Sequence, residues 1–215
     1  MTTEELMELM EERALGYRFL ARAFRTAPDP TFIEAVMSAS EANADGPLAP
    51  FYSETDGADR EQLRIDLAAD YNQLFLGMSA HPVAPYESVY TSEEGQDARD
   101  NVLHTYQQWG LRVPDEFDLP EDHITLEFDL MVCLADRTRA TLEADEDAAS
   151  RTEEGDVCSA SELIAAQRAF LDEHLSWVPA FCGDVEKHAR TAFYYGIAGL
   201  TRQQLEADRE TLRSI

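Results

Sequence analysis

Leu6, Met10, Ala14, Tyr17, Ala21 and Phe24 recur at steps of three and four residues, the spacing that gathers side chains on one face of an α-helix. The same period returns in Ile33, Val36 and Met37, then in Leu63, Leu67, Tyr71, Leu74 and Phe75, and again in Val102, Leu103, Tyr106 and Trp109. Ile124, Phe128, Met131, Ala135 and Leu142 carry a fifth stripe, and Leu163, Phe170 and Leu171 a sixth. Trp177, Phe181 and Val185 follow, and a terminal segment from Thr191 runs through Phe193, Tyr194, Ile197, Ala198, Thr201 and Leu205. No run of alternating β-branched residues competes with this pattern. The expectation is an all-α fold, a single-domain helical bundle over residues 1–215 with about eight helices.

Punctuation divides the stripes. The first helix stops before Pro28, and Asp29-Pro30 supplies an N-cap followed by a first-turn proline. Asn43 to Gly57 holds Gly46, Pro47 and Pro50 and reads as a loop. Gly77 closes the third helix, and GMSAHPVAPYESVY after it has two prolines and no helical period, which marks a long irregular loop. Thr91-Ser-Glu-Glu94 and Ser159-x-x-Glu162 are capping boxes, and Gly110 is a stop. The acidic tract from residue 143 to 158 reads as a mobile, solvated linker inside the domain.

Charge excludes several classes of partner. Asp and Glu number 43 against 17 Lys and Arg, a formal net charge of -26, so nucleic acid phosphates and anionic membranes are repelled. Lys187 is the one lysine, and this arginine-for-lysine, acid-rich pattern resembles proteins of salt-accumulating archaea. Cys133, Cys158 and Cys182 form no CxxC pair and are odd in number, which fits a reducing cytoplasm and neither a disulfide framework nor a zinc site. The charged N-terminal segment has no apolar signal core, and no apolar run reaches the roughly 18 residues of a membrane span.

Common nucleotide, zinc-protease and hydrolase signatures are missing: GxGxxG, GxxxxGK[ST], HExxH and GxSxG do not occur. His123 and Glu127, four apart on the fifth helix, could share a metal ion. His174 and His188 flank the seventh helix and read as solvated histidines or as cations at a helix C-terminus. Cys133 falls in the apolar pattern and reads as a small core residue.

Three blocks carry a resemblance. DYNQLFLGMSAHPVAPYESVY (70–90), LPEDHITLEFDLMVCLA (119–135) and FLDEHLSWVPAFCGDVEKHARTAFYYGIAGLTRQQLE occur in order and resemble the signatures of the TorD/DmsD/NarJ chaperones over roughly residues 5–207. The resemblance implies a cytoplasmic, non-enzymatic chaperone without a cofactor of its own. Its partners would be the twin-arginine signal peptide and the apo catalytic subunit of a molybdopterin oxidoreductase of dimethyl sulfoxide, trimethylamine oxide or nitrate reductase type. It would assist cofactor insertion and delay export, as a monomer or a domain-swapped dimer. By the same resemblance the peptide-binding surface comprises Tyr71, Leu74, Phe75, Pro85, Tyr86, Glu87, Ser88, Asp122 and His123. Tyr86 stands where many relatives carry tryptophan.

Physical reading of the residues leaves alternatives beside that surface. An extended proline loop with Tyr86, Val89 and Tyr90 offers an apolar groove, while Glu87, Glu121 and Asp122 can accept bidentate hydrogen bonds from guanidinium groups. Tyr71, Leu74 and Phe75 equally suit a core, Asp122 a helix N-terminus, and His123 a loop-orienting hydrogen bond. Glu87, Asp122, His123 and Glu127 together could instead serve a metal- or nucleotide-binding regulator or a minor enzyme.

The acidity makes one measurable demand. Carboxylate self-repulsion is screened when the Debye length falls to roughly 3 Å at molar salt. Thermal melting followed by circular dichroism should rise by several degrees between dilute buffer and molar potassium chloride; a flat melting temperature would refute the reading.

Overall fold

The computed structural model describes residues 1–39, 45–91, 95–113, 117–148 and 158–215. Ten helices occur among them: α1 (Thr3–Arg25), α2 (Pro30–Ser38), α3 (Ala49–Thr55), α4 (Arg60–Phe75), α5 (Glu87–Tyr90), α6 (Gly95–Gln108), α7 (Ile124–Ala148), α8 (Ala160–Glu173), α9 (Val178–His188) and α10 (Ala192–Ser214). The all-α expectation holds.

Local chemistry starts and stops these elements where the side chains dictate. Thr2 and Glu5 form a reciprocal capping box on α1, Ser159 and Glu162 do so on α8, and Asp29 caps α2 ahead of Pro30. After α4 and α6 the chain turns at Gly77 and Gly110, both with positive φ (71° and 61°), a conformation costly for residues with a Cβ. The 92–94 part of the first capping box lies outside the described residues.

Three differences from the sequence expectation have physical causes. The loop placed at 43–57 contains α3, because Pro50 sits in its first turn, where a missing N–H costs nothing. Phe51 then packs edge-on to Phe193 of α10, ring centroids 5.2 Å apart. The proline loop ends in the single turn α5, so ten helices and not eight occur among the described residues. In the acidic tract, α7 runs on through Ala148, since Glu and Ala are good helix formers even without an apolar face; residues 149–157 lie outside the described set.

The long helices pack as α1 along α7, α7 against α8, and α9 against α10. Tyr17, Phe24, Phe128, Phe181, Phe193 and Tyr194 are fully buried at the centre. Phe24 touches Phe128 and Phe181 with centroids 6.5 and 5.3 Å away. Gly196 lets α10 lie against the chain before α3: a Cβ there would come 2.7 Å from the Pro47 carbonyl oxygen.

A buried polar network crosses this core. Arg13 of α1 pairs with Asp208 of α10 and hydrogen-bonds Gln167 of α8. Asp208 also accepts from the Tyr17 hydroxyl at 2.6 Å, and Gln167 donates to Thr138 of α7 at 2.9 Å. Removing one member strands the other charge in a low-dielectric interior. Asp208→Ala should therefore cost about 3–5 kcal/mol in urea unfolding at fixed salt, whereas Arg13→Met with Asp208→Leu should recover most of it; a loss below about 1 kcal/mol for the single variant would show the pair to be unimportant.

Candidate functional site

Asp70 of α4 ties that helix to the start of α10. Its buried carboxylate accepts from the backbone N–H of Arg190 (3.2 and 3.1 Å) and Thr191 (2.8 Å) and from the Thr191 hydroxyl (2.7 Å), an anion at the start of α10 where the helix dipole favours it. One residue on, Tyr71 is buried with its hydroxyl donated to the Phe24 and Arg25 carbonyls at 3.1 and 2.8 Å. Those are terminal carbonyls of α1 without helical partners. Burial pushes the Tyr71 hydroxyl up to about 12. Leu74 is buried and Phe75 half-buried against Phe24 and Tyr194. Tyr71 and Leu74 thus build the frame beneath the loop.

The loop is fastened at both ends. The Val83 N–H donates to the Leu74 carbonyl at 2.7 Å. Farther along, the Glu87 N–H donates to the Asp122 carbonyl (2.9 Å) and the Ile124 N–H to the Pro85 carbonyl (3.0 Å), so Tyr86 and His123 form an antiparallel bridge. Their rings meet edge to face with centroids 5.1 Å apart. The two sequence blocks therefore come together in space.

Most of the charged side chains expected to meet a ligand are turned inward. Asp122 is fully buried, accepting from the Ser88 N–H at 3.1 Å and facing the Arg99 guanidinium at 3.4 Å. Glu87 is buried with Oε2 3.1 Å from His174 Nδ1. His174 is accordingly no solvated histidine: it is buried at the end of α8 and stacked on Phe170 at 4.7 Å. Pro85 is buried, Ser88 and Tyr86 are half-buried, and Glu121 is half-exposed. Cys133 is half-buried, and His188 stacks on His81 at 5.4 Å.

His123 Nδ1 accepts the Thr125 N–H at 3.1 Å, an N-cap bond for the first turn of α7 made by an imidazole. Burial depresses its pKa to about 4. Glu127, wholly buried on the same helix, accepts from Trp177 Nε1 at 3.1 Å, and its Oε1 has no partner. Burial and then the neighbouring Glu87 carboxylate push it well above the usual carboxylate range, favouring the uncharged acid. The four residues weighed as a metal or catalytic cluster thus each hold an internal partner, and among the described residues no group of three His, Cys, Asp or Glu is arranged for a metal ion.

Large apolar side chains are exposed along the loop: Leu76, Met78 and Val89 by 55, 67 and 58%, while the ring of Tyr86 is half-buried. Phe117 lies 6.3 Å from His123 with the Arg25 guanidinium 5.3 Å over its face.

Residues 38–183, which include both loop and α7 blocks, match the nitrate reductase delta subunit family. The chain belongs to this family. A chaperone protein TorD of Photobacterium profundum is 33% identical over 141 residues, covering 63% of this chain and 58% of the relative. TorD proteins of Vibrio cholerae and Aliivibrio fischeri are 27 and 28% identical, covering 72 and 69% of this chain and 66 and 65% of theirs. The chain thus spans less than two thirds of the length of these curated relatives. Among the described residues no helix is long and apolar enough to cross a membrane.

Sequence reasoning missed Arg99, His174 and Trp177. The signal was one-sided: Glu127 between Leu126 and Phe128 on an apolar stripe requires a donor, but nothing nearby in the chain names Trp177. The depressed His123 sets a pH dependence. Its folded value, about 4, lies below the unfolded 6.5, so the unfolded chain binds the proton first as pH falls. The stability is whole above about 6.5 and lost progressively down to about 4. His123→Gln should remove that part of the slope, about 3 kcal/mol between the two limits; identical slopes for both proteins in urea titrations would contradict it.

Proposed function

We propose that this protein is a cytoplasmic maturation chaperone that binds the twin-arginine signal peptide or N-terminal segment of a molybdopterin oxidoreductase catalytic subunit. It holds that segment while the cofactor is inserted and delays export. Family membership and the TorD names of its relatives support the class. The observation that carries the reading is the Tyr86–His123 bridge, which fixes a loop bearing the exposed Leu76, Met78 and Val89 while Glu87 and Asp122 are paired internally; we take these exposed side chains to form one apolar strip. A leader segment combines an apolar stretch with cationic residues, and such a strip can take the apolar part by burial of surface from water. Pairing of the buried carboxylates inside the protein leaves the strip rigid, which lowers the ordering cost of binding.

Leu76, Met78, Tyr86 and Val89 are the contact residues of this reading, with Pro85, Ser88 and His123 shaping the turn beneath them. Phe75, half-buried, borders the strip, whereas Tyr71, Leu74 and Asp122 act through the frame. Dimethyl sulfoxide, trimethylamine oxide and nitrate reductases are the client types to test.

Isothermal titration at molar salt with the leader peptide of a co-encoded molybdoenzyme should show saturable binding that persists with salt, because its main term is apolar. Tyr86→Ala should weaken it about tenfold and Tyr86→Trp should preserve it, as expected of an aromatic anchor. Absence of binding by both the leader and the full N-terminal region of every such client would sink the proposal.

A further inference from the structure

Five carboxyls are buried among the described residues, and four of them, Asp70, Glu87, Asp122 and Asp208, meet a cation, a histidine or several N–H groups. Glu127 does not. It is wholly buried, its Oε2 accepts one N–H, from Trp177 at 3.1 Å, and no group donates to Oε1. An ionised carboxylate in this place lacks the donors that would replace its water.

The carboxyl beside it decides where a proton sits. Glu87, carried into the core by the α5 turn, lies within hydrogen-bonding reach of Glu127. Two ionised carboxylates can only accept, so a hydrogen bond between them requires that one be protonated. Glu87 already accepts from His174 Nδ1 at 3.1 Å. The proton therefore belongs on Glu127.

The surrounding elements bring it no cation among the described residues. Asp122, before α7, adds a second negative charge and faces Arg99 of α6. Tyr106 of α6 donates its hydroxyl to the Leu126 carbonyl at 2.8 Å, and His123 Nδ1 accepts the Thr125 N–H. From α1, Arg18 and Arg25 pair with Asp136 and Asp129, and Asp129, two positions after Glu127, lies on another face of α7.

We propose that Glu127 holds a proton at neutral pH, donates it from Oε1 to Glu87, and so latches the α5 turn to α7; loss of that proton unlatches the turn. One proton then completes a chain from Trp177 at the start of α9, through Glu127 and Glu87, to His174 at the end of α8. Tyr90, the last residue of α5, stacks on the same Trp177 ring with centroids 5.3 Å apart, so the turn rests on the indole that anchors the chain. Ionisation of Glu127 sets two like charges side by side in a medium that screens them poorly. Glu87 is the one able to leave, because it sits on a four-residue turn while Glu127 is fixed in the first turn of a 25-residue helix. The latch works whatever segment the loop binds.

Its pH dependence has a definite sign. The folded chain keeps the proton well above the 4.5 of an ordinary glutamate, since burial and the Glu87 carboxylate both oppose ionisation, while a turn opened to water gives it up near that value. Opening therefore becomes easier as pH rises from 4.5, about tenfold per pH unit until the folded group itself ionises. The contribution of His123 ends above 6.5, which leaves the alkaline side to Glu127.

Infrared spectroscopy of the intact chain reads the proton, because the C=O of a carboxylic acid absorbs at higher frequency than ionised carboxylates. The wild type should show an acid band at neutral pH that Glu127→Gln lacks. Hydrogen exchange at the Glu87 and Thr91 amides, which donate to the Asp122 and Glu87 carbonyls, reads the latch. After correction for the intrinsic rate, the wild type should open about tenfold more per pH unit above 6.5. Glu127→Gln, whose amide donates to Glu87 and accepts from Trp177 without titrating, should stay flat. In the wild type alone, the band should fade at the pH where the opening slope levels. Absence of the acid band, its survival in Glu127→Gln, equal slopes in the two proteins, or a band that fades while the slope persists would each overturn the latch.

Discussion

Two backbone hydrogen bonds, from the Glu87 N–H to the Asp122 carbonyl and from the Ile124 N–H to the Pro85 carbonyl, join a proline-broken loop to the start of the longest described helix. A loop of this composition has no period of its own and gains no helical hydrogen bonds until α5. Fastened at Leu74 and again at Asp122 and Ile124, it becomes a fixed edge. The exposure of Leu76, Met78 and Val89 depends on that fastening, because apolar side chains on a free loop would collapse onto the nearest core surface.

The same joint explains why so many ionisable groups lie inside. Asp122 must accept the Ser88 N–H to hold the turn, and it then requires Arg99; Glu87 enters the core with the turn and requires His174. Glu127, one helical turn beyond His123, is left with Trp177 on one oxygen and nothing on the other. Interior polar groups of this kind add little net stability. They do specify how helices meet, since a shifted register would strand each of them at a cost of about 1–3 kcal/mol.

Periodicity alone made the helices legible, and the capping residues Asp29 and Ser159 placed their starts. It could not reveal α3, whose seven residues are too few to display a stripe, nor the continuation of α7 into an acidic run. At the site, the meeting of the loop with the Asp-His turn was readable only through resemblance to a known family; in the chain the two are more than thirty residues apart and carry no local sign of contact. The direction of the side chains was left open by the sequence. Tyr71 and Asp122 lie in motif positions and turn inward, whereas His174, expected in solvent or at a helix C-terminus, closes α8 and is drawn in by Glu87. Burial of a charge depends on a partner supplied from elsewhere in the fold.

The Arg13–Asp208 pair has a temporal side. Its members are 195 positions apart, so a nascent chain emerging at about 5–20 residues per second exposes the guanidinium for roughly ten to forty seconds before its mate exists. α1 can pack along α7 as soon as that helix is made, but its guanidinium stays without its carboxylate until α10 follows. Docking of α10, tied also through Asp70, is then the event that completes the buried network, and a ribosome paused before α10 would hold a bundle with its seam still open.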